Sequence, residues 1–197
     1  MASTTPLQDL FEKNKFDRNI HLKSTSWFDG QVLQLAKKRI TPQQVIRNKP
    51  ANIKSSIIPG NLYMFFYDAK HKETLPYWDR FPLVFPFRAT ADGFYGLNLH
   101  YLPYRYRAIL MDRLLMFKNN SKFDETTKLK YSWNMIAGMS KFEMAKPCVK
   151  QYLKTQVRSQ FVKVDANDWT TALMLPVERF VGASKGAIWA DSRESFK

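Results

Sequence analysis

The spacing of apolar residues divides the chain into three regions. Within residues 1–56 they recur at helical spacing, as with Leu7, Leu10 and Phe11, which predict a helix over Thr5–Phe16. A second helix is predicted to begin near Ser24 or Ser26. A third is short, with Thr41 and Pro42 as its cap and first-turn residues. The N-terminal region is therefore predicted to be helical.

From Ile57 the pattern changes to aromatic and aliphatic runs separated by turn residues, which is typical of strands. The predicted strands are Asn61–Asp68, Phe81–Arg88 and Phe94–Tyr101. Prolines at 76, 82 and 86 favour bends and edge positions. Residues 59–101 are therefore predicted to form a small, curved, mainly antiparallel sheet, or an SH3-like partial barrel.

After Pro103 helical spacing returns. Helices are predicted over Tyr104–Phe117, Glu125–Met139, Lys146–Arg158 and a segment that follows Asp165, with a strand over Gln160–Val164. The predicted fold class is α+β, with N- and C-terminal helices flanking the sheet. We expect an N-terminal helical segment (1–56), a central β-rich core (57–110) and a mainly helical part (111–197) that pack as one globular unit.

The composition is that of a globular protein. Hydrophobic residues make up 45% of the 197 residues and aromatic residues 15%, which excludes disorder over most of the length. No apolar run approaches the roughly 18 uncharged residues that span a bilayer, and the N-terminal residues lack the pattern of a secretory signal. The single cysteine, Cys148, excludes an internal disulfide and is predicted to be a core residue.

The net charge of +14 favours a polyanionic partner. Residues 1–60 carry ten basic and four acidic side chains, residues 61–110 six and four, and residues 111–197 fifteen and nine. The central region is therefore nearly neutral, and the excess lies toward the two ends. Since no amphipathic helix with a large apolar face opposite a lysine-rich face stands out, we expect DNA rather than a membrane as the partner.

Four cations recur at four-residue intervals in the C-terminal part: Lys146, Lys150, Lys154 and Arg158. On the predicted helix they would share one face and repel one another, which a row of phosphates would relieve. The alternative is a solvated helix face without a ligand. Further candidate contacts to DNA are Arg105, Arg107, Lys128 and Lys130.

Aromatic residues beside some of these cations suggest base stacking as a second possibility. Tyr101, Tyr104 and Tyr106 alternate with Arg105 and Arg107, a composition found in single-strand binding surfaces. The alternative is that these rings belong to the core.

The patterns of catalytic sites are missing. The three histidines, His21, His71 and His100, lack metal-ligand spacing with one another or with Cys148. Asp68 and Lys70 resemble the acidic-x-Lys element of restriction-type nucleases, but a second carboxylate is missing, and a salt-bridged hairpin is the alternative. We therefore predict no enzymatic activity, no catalytic residues, no metal site and no cofactor.

Three stretches of the central region resemble a known family: Pro59–Lys72, Leu75–Val84 and Gly96–Pro103. They are similar to the DNA end protector family of T-even-type contractile-tailed phages, with weaker similarity at 146–153 and 169–180. The family provides no catalytic residues to transfer. The nearly neutral charge of the best-matching stretch favours a structural role for Tyr77, Trp78, Asp79 and residues 98–101.

The resemblance implies a virion-associated protein that binds the ends of packaged DNA and shields them from host exonuclease. The partners that it implies are the ends of DNA, which are bound without sequence preference, and proteins of the neck, tail or baseplate. The implied locations are the virion and, during assembly, the host cytoplasm. The alternative is a structural component of the neck, tail or baseplate that is held by protein contacts.

Overall fold

The computed structural model describes residues 52–103, 107, 114, 122–141, 143–165, 169–174 and 178–194. The three predicted N-terminal helices lie outside the described residues. The same holds for the predicted helix Tyr104–Phe117, apart from Arg107 and Leu114, which are both helical.

Most strands belong to one antiparallel sheet. Its order is β1-β7-β2-β4-β5-β6, and a separate ribbon pairs β3 with β8. The strands are β1 (Ile53–Lys54), β2 (Leu62–Met64), β3 (Trp78–Asp79), β4 (Leu83–Ala89), β5 (Gly93–Asn98), β6 (Val149–Leu153), β7 (Phe161–Val164) and β8 (Phe180–Val181).

The sheet is strongly curved around an aromatic inner face. β5 and β7 are three places apart in the strand order, which in a flat sheet corresponds to about 14 Å. The ring centroids of Phe94 on β5 and Phe161 on β7 are nevertheless 6.1 Å apart. Phe65 and Tyr152 fill the space between the strands. The predicted α+β fold with a curved antiparallel sheet is confirmed, and the sheet does not close into a barrel.

Helices cover the outer face of the sheet. They are α1 (Glu125–Met139), α2 (Trp169–Met174) and α3 (Lys185–Glu194). Trp169 of α2 lies edge-on to Phe85, with ring centroids 5.1 Å apart, and its indole N–H donates to the carbonyl of Val164. Ile136 of α1 and Ile188 of α3 are buried in the same core. Among the described residues, no helix is long and apolar enough to cross a membrane.

The start of α1 follows from its capping residue. The carboxylate of Asp124 accepts hydrogen bonds from the backbone N–H and the hydroxyl of Thr127, which lowers the pKa of Asp124. A carboxylate at this position satisfies N–H groups that have no partner within the helix. The predicted boundaries of this helix, Glu125–Met139, are confirmed.

The prediction of a helix over Lys146–Arg158 is wrong. This stretch contains the end of a 3-10 helix (Glu143–Cys148), then β6, then a 3-10 helix (Lys154–Gln156). Pro147 does not explain the difference, because the first turn of a helix tolerates proline, whose missing N–H would have no partner within the helix. Gly93 of β5 permits β6 to approach closely, since a Cβ atom on Gly93 would lie 1.9 Å from the carbonyl oxygen of Tyr152.

The sheet is therefore larger than predicted. Residues 59–101 contribute β2, β4 and β5, whereas β6 and β7 come from the part of the chain that was predicted to be mainly helical. The strand predicted at Gln160–Val164 is confirmed as β7, and α2 confirms the helical segment after Asp165. The division at residues 56 and 110 stays a prediction.

Candidate nucleic-acid interface

The four regularly spaced cations do not form a stripe on a helix. Lys146 lies in a 3-10 helix, Lys150 in β6, Lys154 in the next 3-10 helix, and Arg158 beyond it. Lys146, Lys154 and Arg158 are exposed, whereas Lys150 is partly buried. The four cations are evenly spaced in the sequence, but the backbone conformation leaves Lys150 partly buried while the other three are exposed.

Lys150 is directed toward the protein. Its ammonium lies 4.1 Å from the ring centroid of Tyr101, and burial lowers the pKa of Lys150. Tyr101 itself is 2% exposed and contacts the ring of Phe180, so it belongs to the core and does not offer a stacking surface. The other two tyrosines considered for stacking, Tyr104 and Tyr106, lie outside the described residues.

Arg107 is likewise a structural residue, contrary to its predicted role in DNA binding. It is 1% exposed, and its guanidinium donates to the backbone carbonyls of Leu102, Leu173 and His100 at 2.6, 3.2 and 2.8 Å. A buried guanidinium that satisfies three carbonyls cannot also reach phosphate on the surface. Its neighbour Arg105 lies outside the described residues.

Two candidates lie on α1. The ammonium of Lys128 is 2.9 Å from a carboxylate oxygen of Glu125, one turn earlier, and only 15% of the side chain is exposed. Lys130 is exposed. Of the two, Lys130 is the one available to a ligand.

A different set of cations is brought together by backbone pairing at the end of β2. The N–H of Arg158 donates to the carbonyl of Phe66, and the N–H of Asp68 donates to the carbonyl of Gln156. On the other side, the N–H of Tyr67 donates to the carbonyl of Arg80. The N–H of Arg80 in turn donates to the carbonyl of Arg179. Four chain segments thus lie side by side.

These four segments and the loop that follows Asp68 carry six exposed cations, which we call the cationic strip: Lys70, Lys72, Arg80, Lys154, Arg158 and Arg179. Three carboxylates that are not fully buried lie in or beside these segments: Asp68 and Glu73 in the loop, and Asp92, whose carbonyl accepts from the N–H of Lys154. A field of one sign on adjoining exposed segments attracts polyanions. The sequence analysis included Lys154 and Arg158 but missed the other four.

The carboxylate of Asp68 lies between two cations of the strip and pairs with both. It lies 3.2 Å from the ammonium of Lys72 and 3.6 Å from the guanidinium of Arg158. Asp68 thus pairs with Lys72 and Arg158, as the salt-bridge alternative to a nuclease element predicts, although its partner is not Lys70. Exposed ion pairs of this kind contribute about 0–1 kcal/mol, so a phosphate can compete for either cation.

A buried polar network holds one side of the strip in place. The carboxylate of Asp79 accepts from the backbone N–H groups of Phe81 and Arg179. It also accepts from the side-chain amide of Asn98 and contacts Nδ1 of His100 at 2.7 Å. Asp79 therefore fixes the ribbon on which Arg80 and Arg179 are exposed, which agrees with the structural role predicted for this residue.

An ion pair between a buried carboxylate and a partly exposed lysine links α3 to the core. Burial raises the pKa of Glu178, but the charges of Arg107, His100 and Lys185 outweigh this effect and lower it to about 2. The carboxylate of Glu178 lies 3.1 Å from the ammonium of Lys185, the first residue of α3. This cluster too serves the fold.

The described residues contain no group of three or more His, Cys, Asp or Glu side chains that could hold a metal ion. Cys148 is fully buried, and burial raises the pKa of its thiol to about 12, so the nucleophilic thiolate is suppressed near neutral pH. The role predicted for Cys148, a small core residue, agrees with its burial.

Lys150 and Lys154 provide a direct test of which cations face DNA. We expect Lys154→Gln to lower the steepness of the salt dependence of DNA binding by about one, the effect of one lost phosphate contact. Lys150→Met should leave that slope unchanged, because its ammonium lies against Tyr101. Titration of a labelled duplex at several salt concentrations measures both slopes. Equal losses in the two variants would contradict the assignment.

A model of a known family matches residues 10–193 of the chain, and its description is Phage T4 terminal DNA protecting protein. No curated protein and no solved structure matches the chain. The match extends over almost all of the 197 residues and includes every segment that contributes to the cationic strip.

Proposed function

Because the chain belongs to the phage T4 terminal DNA protecting protein family, we propose that it binds the ends of linear phage DNA through the cationic strip and shields them from host exonuclease. The observation that carries the proposal is the gathering of Lys70, Arg80, Arg158 and Arg179 on adjoining segments. They come from distant parts of the sequence. Such a surface contacts the phosphate backbone and makes no contact with base edges, so its binding has no sequence preference.

The proposed binding is electrostatic and independent of sequence. Each lysine or arginine that contacts a phosphate releases a condensed counterion, so the affinity falls steeply as salt increases. The exposed Lys146 and Lys130, which lie outside the strip, are further candidates for phosphate contacts. Protection itself requires only that the bound protein deny the terminal nucleotides to a nuclease. We accordingly propose that the protein has no turnover of its own.

The proposed setting follows from the family. A protein that protects terminal DNA would act in the virion or in the host cytoplasm. For the fold, we propose an SH3-like arrangement, supported by the strand order β7-β2-β4-β5-β6 and by the 3-10 helix Lys154–Gln156 between β6 and β7. In that arrangement the cationic strip lies beside the 3-10 helix Lys154–Gln156, where several loops come together.

A competition experiment tests the proposal. The protein is bound to a labelled linear duplex and challenged with unlabelled linear duplex or with a closed circle of equal length. We expect the linear competitor to be more effective, because it presents two ends. An added exonuclease should degrade the linear duplex more slowly when the protein is bound, and the protein alone with a divalent metal should leave every end intact.

Two results would contradict the proposal. Equal competition by circle and linear duplex would leave only general DNA binding. Absence of DNA binding at low salt, together with assembly on a neck, tail or baseplate protein, would favour a structural component held by protein contacts.

A further inference from the structure

Exposed apolar side chains lie beside the cationic strip, on the ribbon that carries Arg80 and Arg179. Leu75 is 42% exposed and Val181 is 38% exposed, and Pro76 next to Leu75 is also exposed. Val181 pairs across the ribbon with Trp78. We call Leu75, Pro76 and Val181 the apolar lip.

The two sides of the lip are held close together by a glycine. Gly182 has φ of +91°, a left-handed conformation that favours glycine. A Cβ atom at this position would lie 2.5 Å from the carbonyl oxygen of Pro76. Pro76 and Gly182 are therefore in contact beyond the end of the ribbon, which brings together Leu75, in the segment before β3, and Val181, the last residue of β8.

The loop that leads to the lip has a defined turn. The N–H groups of Thr74 and Leu75 both donate to the carbonyl of His71, and the hydroxyl of Thr74 donates to the same oxygen. Residues 70–76 are all exposed. The turn therefore presents Lys70 and Lys72 at its start and the lip at its end, and little ordering is needed on binding.

We propose that the apolar lip covers the terminal base pair of a duplex whose phosphates lie on the cationic strip. This inference rests on the proposed function and adds the part of the site that recognises an end. A terminal base pair is the one place where a duplex exposes a broad apolar face, since every internal pair is stacked on both sides. Aliphatic side chains and proline are the groups that DNA-binding proteins place against base steps.

Charge complementarity selects this occupant. Arg80 and Arg179 pair with each other on the ribbon that carries the lip. The exposed Trp133 lies elsewhere on the sheet: its indole N–H donates to the carbonyl of Phe87, at the far end of β4 from Arg80. Helix α1, which carries Trp133, begins with the acidic residues Asp124 and Glu125.

The test separates end preference from general affinity. The measured quantity is the ratio of the dissociation constant for a closed circle to that for a linear duplex of equal length. In L75Q/V181T we expect this ratio to fall roughly tenfold toward one, because two aliphatic side chains no longer cover a base pair. The dissociation constant for the circle should stay within about twofold of wild type, since the cations are unchanged.

A matched control carries the same kind of change elsewhere. I58Q/I53T alters two exposed isoleucines, Ile58 at 54% and Ile53 at 36% exposure, that lie outside the ribbon. Its ratio should equal that of wild type. A second variant, Leu75→Trp, offers a larger flat surface and should raise the ratio. That gain keeps the test decisive even if L75Q/V181T folds poorly.

The possible outcomes distinguish the two proposals. An end preference that persists in L75Q/V181T, or that falls equally in I58Q/I53T, overturns the lip and leaves the proposed function in place. A wild-type ratio of one overturns both. Loss of the preference in L75Q/V181T alone, with a gain in Leu75→Trp, supports the lip as the element that recognises the end.

Discussion

Replacing Asp79 by alanine should destabilise the protein by about 3–5 kcal/mol, because it leaves several buried hydrogen-bond donors without an acceptor, at about 1–3 kcal/mol each. The carboxylate has four donors or contacts: two backbone N–H groups, the amide of Asn98 and Nδ1 of His100. The side chain of Asp79 is 1% exposed and that of His100 fully buried, so water cannot replace the lost acceptor. The total stability of a domain is about 5–15 kcal/mol, which makes this loss a large fraction of it.

Denaturant unfolding measures the loss, and two further variants define its cause. Asp79→Asn keeps the size and one acceptor oxygen, so it should cost less than alanine. Asp92→Ala removes an exposed carboxylate that accepts from the hydroxyl of Thr90. Its free energy of unfolding should stay within about 0.5 kcal/mol of the wild-type value. A midpoint for Asp79→Ala equal to that of wild type would contradict the role assigned to the network.

The central strands could be predicted from sequence because their pattern is local. The runs around Leu62, Leu83 and Phe94 are aromatic and aliphatic and are bounded by turn residues, and each became a strand within a few positions. Helix α1 was predicted to the residue, and the structure shows that its cap, Asp124, directly precedes it in the sequence. In both cases the deciding interactions lie within a few residues of one another.

The helix predicted over Lys146–Arg158 was wrong because the deciding interactions there are not local. A repeat of four places side chains on one face of a helix, but even-numbered residues also share one face of a strand. The deciding contacts were distant: β6 pairs with β5, more than fifty residues earlier, where Gly93 leaves room for it. Pro147 gave no local signal against a helix, because proline is compatible with the first helical turn.

The cationic strip was missed for the same reason. Arg80 and Arg179 are about a hundred residues apart, and counting charge by region distributes them between a nearly neutral centre and a basic end. Only the hydrogen bond between their backbones brings them together. The basic loop Lys70-His71-Lys72 was visible, but its position beside Arg158 depends on the pairing of Phe66 with that residue.

The salt dependence of DNA binding should change most when three cations of the strip are neutralised together. If all six contact phosphate, affinity for duplex DNA should fall about 2,000-fold between 50 and 200 mM salt, at a slope of about 0.9 per contact. In K70Q/R80Q/R179Q three contacts remain, so the fall should be about 40-fold. These three were chosen because Lys72 and Arg158 also pair with Asp68, and their loss would disturb the loop.

The control for this prediction removes the same amount of charge elsewhere. K54Q/K141Q/R193Q neutralises three exposed cations that belong neither to the strip nor to the further candidates for phosphate contacts, so it lowers the net charge by the same three units. If the net charge of +14 determines the affinity for DNA, both triple variants will reduce the slope of the salt dependence equally. If direct phosphate contacts govern it, only the strip variant will do so, because counterions are released where a cation meets the backbone. A flatter slope in the control than in the strip variant would move the interface away from the ribbon and toward Lys54, Lys141 and Arg193.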